Sequence, residues 1–217
     1  MLENVRPMDI ERRSFEIITE LLGDRQPPPE IAPVVKRVIH TTADFDYAEN
    51  LVFSPGAVER GMEALRAGCD IVTDTQMAKA GVNKTILARL GGEVHCFISD
   101  PDVAGEARDR GVTRAAVSME RAAALGKRCI FAIGNAPTAL LALAELMDRG
   151  ELDPALVIGV PVGFVNVVES KERILASAAP HIVARGRKGG SNVAAAICNA
   201  LLYAAAKTLD PAARGWQ

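Results

Sequence analysis

The chain is poor in aromatic residues and lacks closely spaced cysteines, a long apolar run and any excess of positive charge. Aromatics make up 4% of it while hydrophobic residues reach 49%, so a core must be built from Ala, Val, Leu and Ile, a composition suited to helices packed on a buried sheet. Cys69, Cys96, Cys129 and Cys198 are scattered among apolar neighbours without a C-x-x-C pair. They read as reduced, buried thiols, and no metal site is expected of them. No stretch reaches the roughly 18 apolar residues of a membrane helix, and Met1 to Met8 hold no apolar run of signal-peptide length. The expectation is therefore a cytoplasmic protein without a membrane partner. A formal net charge of -2 excludes the broad basic field of non-specific nucleic-acid binding, so no nucleic-acid partner is expected either. Any anionic ligand must be met by local Arg and Lys.

What is present is a change of rhythm along the chain. A first helix is expected from about Met8 to Leu22, with Ile10, Phe15, Ile17, Ile18, Leu21 and Leu22 at helical spacing and Gly23 at its end. Gln26-Pro27-Pro28-Pro29 reads as a stiff linker. A second helix follows from about Glu30 to Ala43 with Val34, Val35, Val38 and Ile39 on its apolar side, and a third starts near Pro55 and ends before Gly68. Beyond it, short β-prone runs (Cys69 to Thr73, Val94 to Ser99, Cys129 to Ile133, Leu156 to Val160, Ile182 to Ala184) each lead into a turn and then a helix, the last an Ala-rich one from about Asn192 to Lys207. Such alternation predicts a single doubly wound α/β domain over residues 1–217, with a mainly parallel sheet, helices on both faces and residues 208–217 as a loose tail. Ligands of such folds bind outside the carboxyl ends of the strands, where these turns collect.

On the second helix Arg37, His40, Thr41 and Asp44 fall at i, i+3, i+4 and i+7, opposite the valines. The set is either a solvated polar side or a cation, an imidazole and a hydroxyl aimed at one ligand. Ser14 interrupts the line Ile10, Ile17, Ile18, Leu21; a hydroxyl there either bonds back to the Ile10 carbonyl or meets a ligand.

Two loops read as anion sites. Ile133-Gly134-Asn135-Ala136-Pro137-Thr138 is strand, glycine turn and a helix with proline in its first turn, which aims amide groups at an anion unless it is an ordinary capped turn. Arg185-Gly186-Arg187-Lys188-Gly189-Gly190-Ser191-Asn192 combines three cations and three glycines at a helix start. Neither matches G-x-x-x-x-G-K-[ST] or G-x-G-x-x-G, which leaves a nucleotide-dependent α/β enzyme as a weak rival. Asp44-Phe45-Asp46 lacks the glycine and glutamate of a calcium loop, and His95 and His181 have no ligand-spaced companions. Glu169-Ser170-Lys171 is either a charged edge of the site or an exposed helix start.

Six blocks occur in order: Glu11-Arg12-Arg13-Ser14-Phe15, Val38-Ile39-His40-Thr41-Thr42-Ala43-Asp44-Phe45, Thr73-Asp74-Thr75-Gln76-Met77-Ala78, Gly134-Asn135-Ala136-Pro137-Thr138-Ala139, Gly159-Val160-Pro161-Val162-Gly163-Phe164-Val165 and Gly186-Arg187-Lys188-Gly189-Gly190-Ser191. Together they resemble the precorrin-8X methylmutase family of cobalamin biosynthesis, over nearly the whole chain. The His-Thr-Thr-Ala-Asp-Phe and Arg-Lys-Gly-Gly-Ser-Asn-Val stretches look more like the cobalt-precorrin-8 branch, while Arg12 and Asn166 depart from the family pattern. The resemblance implies a cofactor-free isomerase that moves a methyl group from C-11 to C-12 of the macrocycle, giving cobyrinate, or hydrogenobyrinate in the cobalt-free branch. It implies His40 as proton donor or acceptor, Ser14 and Arg37 as substrate contacts, and a homodimer with sites near the subunit interface. Thr75, Asn135, Thr138, Arg185, Lys188 and Ser191 complete the expected substrate-binding set, with no metal ligands. A non-catalytic corrinoid carrier would use the same pocket.

Overall fold

The computed structural model describes residues 5, 6 and 9–207. Helix α1 (Ile10–Leu22) and a single 3-10 turn lead to α2 (Ala32–Thr42), the short α3 (Tyr47–Asn50), strand β1 (Leu51–Phe53) and α4 (Ala57–Arg66). There follow β2 (Asp70–Thr73), α5 (Gln76–Gly81), α6 (Lys84–Arg89), β3 (Val94–His95), α7 (Pro101–Arg110) and α8 (Arg114–Ala123). The chain continues through β4 (Cys129–Ile133), α9 (Pro137–Asp148), β5 (Leu156–Gly159), α10 (Val167–Leu175), β6 (His181–Ala184) and α11 (Ser191–Ala205). All six strands join one sheet in the order β1-β6-β5-β4-β2-β3, parallel except for β1.

The central strands are apolar on both sides because both sides are covered. Ile71, Ile130, Ala132, Leu156, Ile158 and Ile182 face one core with α2, α4, α6 and α11, while Val72, Phe131, Ile133, Val157 and Val183 face the other with α8, α9 and α10. Small residues let the first layer sit close: a Cβ on Gly61 would come within 3.1 Å of Leu156 and Leu201, and one on Gly81 within 2.8 Å of Ala195.

The doubly wound, mainly parallel fold is as expected, with three differences. Strand β1 was not anticipated. The run Val94 to Ser99 pairs only over Val94 and His95, because β3 is an edge strand and Phe97 and Ile98 leave it to pack against the second core. On α1, Ile18 and Leu22 are buried, but Ile10, Ile17 and Leu21 stay 53%, 36% and 61% exposed, so the face expected to cover the core is half uncovered. Met8 and the tail 208–217 lie outside the described residues.

Two features place the site. The chain runs from β2 outward to β3 and then returns past β2 to β4, so the crossovers diverge between β2 and β4, and a crevice opens at the carboxyl ends of those strands. Antiparallel β1 begins where β6 ends, with Leu51 opposite Ala184 and the Arg185 amide donating to Asn50 O at 2.8 Å. That reversal delivers the residues just before β1, from the end of α2 onward, to the same carboxyl edge.

Candidate active site

Helix α2 ends at Ala43, which adopts the left-handed conformation (φ 54°) and donates its amide to Ile39 O at 2.7 Å. His40 occupies the last turn, exposed, with its ring stacked on Phe15 of α1 at 5.3 Å between centroids and 14° between planes. Burial against this neighbour and then the positive charge of Arg37 hold the imidazole below its ordinary pKa, with Glu11 opposing. Arg37 lies over the same Phe15 ring at 4.7 Å and over Tyr203 at 5.3 Å, and its guanidinium meets Glu11 Oε1 at 2.5 Å. Ser14 Oγ donates to Ile10 O at 2.8 Å and Thr41 Oγ1 to Arg37 O at 3.0 Å, so both hydroxyls bond back to their own helices.

The Arg185–Ser191 loop lies beside this segment. Lys188 Nζ donates to Asp44 Oδ2 at 2.7 Å and Asp46 Oδ2 at 2.6 Å, tying the loop to the stretch just after His40. Arg185 pairs with Glu172 at 3.3 Å, and Arg187 donates to Phe164 O at 2.9 Å with its guanidinium 5.6 Å from the Phe164 ring. The loop's backbone is held from below by Lys171, whose fully buried ammonium donates to Gly186 O and Lys188 O, each at 2.8 Å. Burial pushes this lysine down to about 8. Gly189 (φ 159°) passes so close to β5 that a Cβ would lie 2.1 Å from Val160 O, and the Gly190 amide donates to that carbonyl at 2.8 Å. At the far end of the loop Ser191 Oγ and Thr75 Oγ1 share a hydrogen bond of 2.8 Å.

Thr75 caps α5, accepting from the Ala78 amide at 3.0 Å, and stands at the switch-point crevice. Next to it, buried Asp74 accepts the amides of Gly134, Asn135 and Ala136 at 2.9, 2.8 and 2.7 Å. Desolvation raises its pKa, and the three amides oppose that rise. The amides of the glycine turn that leads into α9 are thus occupied by the protein's own carboxylate, which leaves only the first turn of α9 itself to face an anion. The crevice itself, about 410 Å³, is lined by Thr75, Gln76, Thr113, Arg114, Asn135 and Thr138 among others. Thr113 Oγ1 donates to Thr138 Oγ1 at 2.8 Å.

The expected residues therefore form two groups joined by one loop. Ser14, Arg37 and His40 stand at the α1–α2 end. Thr75, Asn135 and Thr138 line the switch-point crevice, Ser191 touches Thr75, and Lys188 holds Asp44 and Asp46 in the stretch just after His40. Arg185 is turned toward α10. Sequence reasoning missed Asp74, Arg114, Phe15 and the burial of Lys171. For Lys171 the signal was present: Val167, Ser170, Lys171 and Ile174 fall at i, i+3, i+4 and i+7, the buried face of α10. Neither an exposed helix start nor a charged edge describes it.

A doubly wound sheet with a hydroxyl-lined crevice at its switch point, and a partly desolvated histidine and exposed cations farther along the same edge, is the frame of a small-molecule enzyme. The family model described as precorrin-8X methylmutase matches residues 9–204. The chain is 48% identical over 197 residues to the cobalt-precorrin-8 methylmutase of Priestia megaterium, covering 91% of this chain and 88% of that protein. It is also 48% identical over 204 residues to that of Salmonella typhimurium, with 91% and 95% covered. A solved precorrin-8X methylmutase from Thermus thermophilus superposes with a TM-score of 0.85 at 42% identity, covering 93% of this chain and 98% of the other. The chain belongs to the precorrin-8X methylmutase family.

Proposed function

We propose that the chain is a cobalt-precorrin-8 methylmutase, an isomerase of corrin-ring biosynthesis that moves a methyl group from C-11 to C-12 to give cobyrinate without a cofactor. The observation that carries this reading is a histidine with both ring nitrogens unengaged among the described residues, set at the carboxyl edge beside cations, within a chain of this family. A methyl shift around the macrocycle is eased when a ring position takes up a proton as the methyl leaves. His40, whose pKa is lowered in the free protein, picks up a proton from the medium, lends it to a ring position as the methyl leaves C-11 and takes it back once the methyl has joined C-12. No proton is gained or lost overall, and the contribution is roughly 10²–10⁴-fold. Arg185, Arg187, Lys188 and Arg114 receive the acetate and propionate arms, with Lys188 exchanging Asp44 and Asp46 for a substrate carboxylate. Arg37 sets the charge beside His40, and Ser14, Thr75, Asn135, Thr138 and Ser191 supply hydroxyl and amide contacts. Clamping the ring supplies part of the remaining acceleration.

We further propose that the protein works in the cytoplasm as a homodimer whose α1 faces meet near the site, since Ile10, Ile17 and Leu21 form an uncovered apolar stripe. Among the described residues no helix is long and apolar enough to cross a membrane.

The test is turnover of the cobalt-bound and metal-free C-11-methylated substrates, followed by absorption spectroscopy, for the wild-type protein and His40→Ala. The expected result is faster turnover of the cobalt form, and a variant that still binds but is slower by at least 10²-fold. Wild-type turnover by His40→Ala removes His40 from the chemistry. A spectral shift without turnover by the wild-type protein makes it a corrinoid carrier.

A further inference from the structure

We infer that Phe15 is a positioning residue that fixes the plane of the His40 ring for proton transfer, and that Glu11 and Arg37 hold Phe15 in place. This deepens the reading above and rests on His40 being the group that handles the proton.

His40 sits at the exposed end of a helix, where an imidazole has free choice of rotamer. A catalytic histidine usually has one ring nitrogen bound by a carboxylate or carbonyl that orients it. Here neither ring nitrogen has a hydrogen-bond partner among the described residues, and the contact that defines the ring plane is the stack on Phe15 at 5.3 Å and 14°. Stacking engages the face of the imidazole and leaves its edge, with both nitrogens, open to a ligand.

The platform is itself fixed. Glu11 and Phe15 are one turn apart on α1, and Arg37 and His40 are one turn apart on α2. The helices meet so that Glu11 opposes Arg37 at 2.5 Å while Phe15 opposes His40. Arg37 then closes the group by lying over Phe15 at 4.7 Å and over buried Tyr203 of α11 at 5.3 Å. Tyr203, Arg37, Phe15 and His40 thus form one continuous run of flat groups from the core to the ligand edge. The electron-rich face of Phe15 is shared between Arg37 and His40. The charged groups facing the imidazole from the two helices are Arg37 and Glu11.

The experiment compares wild-type, Phe15→Leu, Phe15→Tyr, Glu11→Gln and His40→Ala proteins for kcat and KM on the cobalt-bound C-11-methylated substrate. Proton–carbon spectra of ring-labelled histidine are recorded in parallel. Phe15→Leu keeps apolar volume between the helices and removes the ring face. The expected result is a kcat lower by about five- to tenfold, inside the roughly two- to twelvefold that a lost ring pair allows, with KM within about twofold. The His40 ring signals should lose their ring-current displacement, and Phe15→Tyr should restore both. Should Phe15→Leu fail to fold, Glu11→Gln, which loosens Arg37 without touching the core, is expected to lower kcat two- to threefold (roughly half the logarithm of the loss above) and to move the same signals. Wild-type kcat and unmoved His40 signals in these variants, with His40→Ala inactive, overturn the positioning role. An active His40→Ala overturns the proton-handling reading beneath it.

Discussion

His40 and Lys171 are both held below their ordinary pKa, and the consequences differ because one is exposed and the other buried in the core. With His40 depressed by burial and by Arg37, the free protein carries a neutral imidazole at pH 7. Since the step needs the protonated ring, kcat/KM should rise as pH falls from neutrality, with its limb below about 6.5. Substrate carboxylates brought beside the ring should move the corresponding limb of kcat upward. A profile flat from about pH 5 to 7 in kcat/KM would mean that another group controls the step. For Lys171, burial lowers the folded value to about 8 against an ordinary 10.5, so between those two pH values the unfolded chain binds more protons and stability rises with pH. The variant Lys171→Met lacks that gain and leaves two loop carbonyls without their donor. Urea unfolding should find it less stable than wild type at pH 7.5, with the gap wider at about pH 10. A gap that narrows would mean the ammonium is not desolvated as described.

At the level of elements, the site depends on loops that touch without room for a side chain. A Cβ on Gly134 would lie 2.6 Å from Ser191 Cα and 2.8 Å from Gly190 O. Gly134→Ala must then push the start of α11 away from β4 and break the Thr75–Ser191 hydrogen bond. A loss of about 1–3 kcal/mol in stability is expected from such overpacking, with a rise in KM; an unchanged KM would separate the crevice from the substrate. The same elements explain what the sequence could reveal. Strands β4 and β5 were legible because burial on both faces writes an uninterrupted apolar run, and β2 and β6 through their shorter apolar cores, Ile71-Val72 and Ile182-Val183-Ala184. Strand β1 was not, since three edge residues with one partner carry no period. The histidine, the cations and the glycine loops were legible as residue types at loop and helix ends. Asp74 was not, because its role arises only when β2 and the β4–α9 turn lie side by side, and Phe15 read as core until α1 was seen against α2. Lys171 was the legible signal passed over, since charge suggested the surface while its spacing placed it with Val167 and Ile174.

For the whole molecule, the uncovered stripe on α1 is one feature that a lone chain leaves unexplained. If it joins two copies, the double variant Ile17→Asp, Leu21→Asp should sediment as a monomer where the wild type sediments as a dimer. It should also lose activity beyond what the distance to His40 accounts for. A wild-type monomer, or a variant that still dimerises, would move the interface elsewhere. The reversed strand β1 carries a consequence of another kind. Its one sheet partner among the described residues is β6, and Lys188 reaches back to Asp44 and Asp46 across more than 140 positions of chain. During synthesis the amino-terminal part that bears His40 must therefore wait on the ribosome until the last strand has emerged. The edge that bears His40 is completed only once β6 has been made, so a nascent chain cut short before β6 has its histidine but no place to put it.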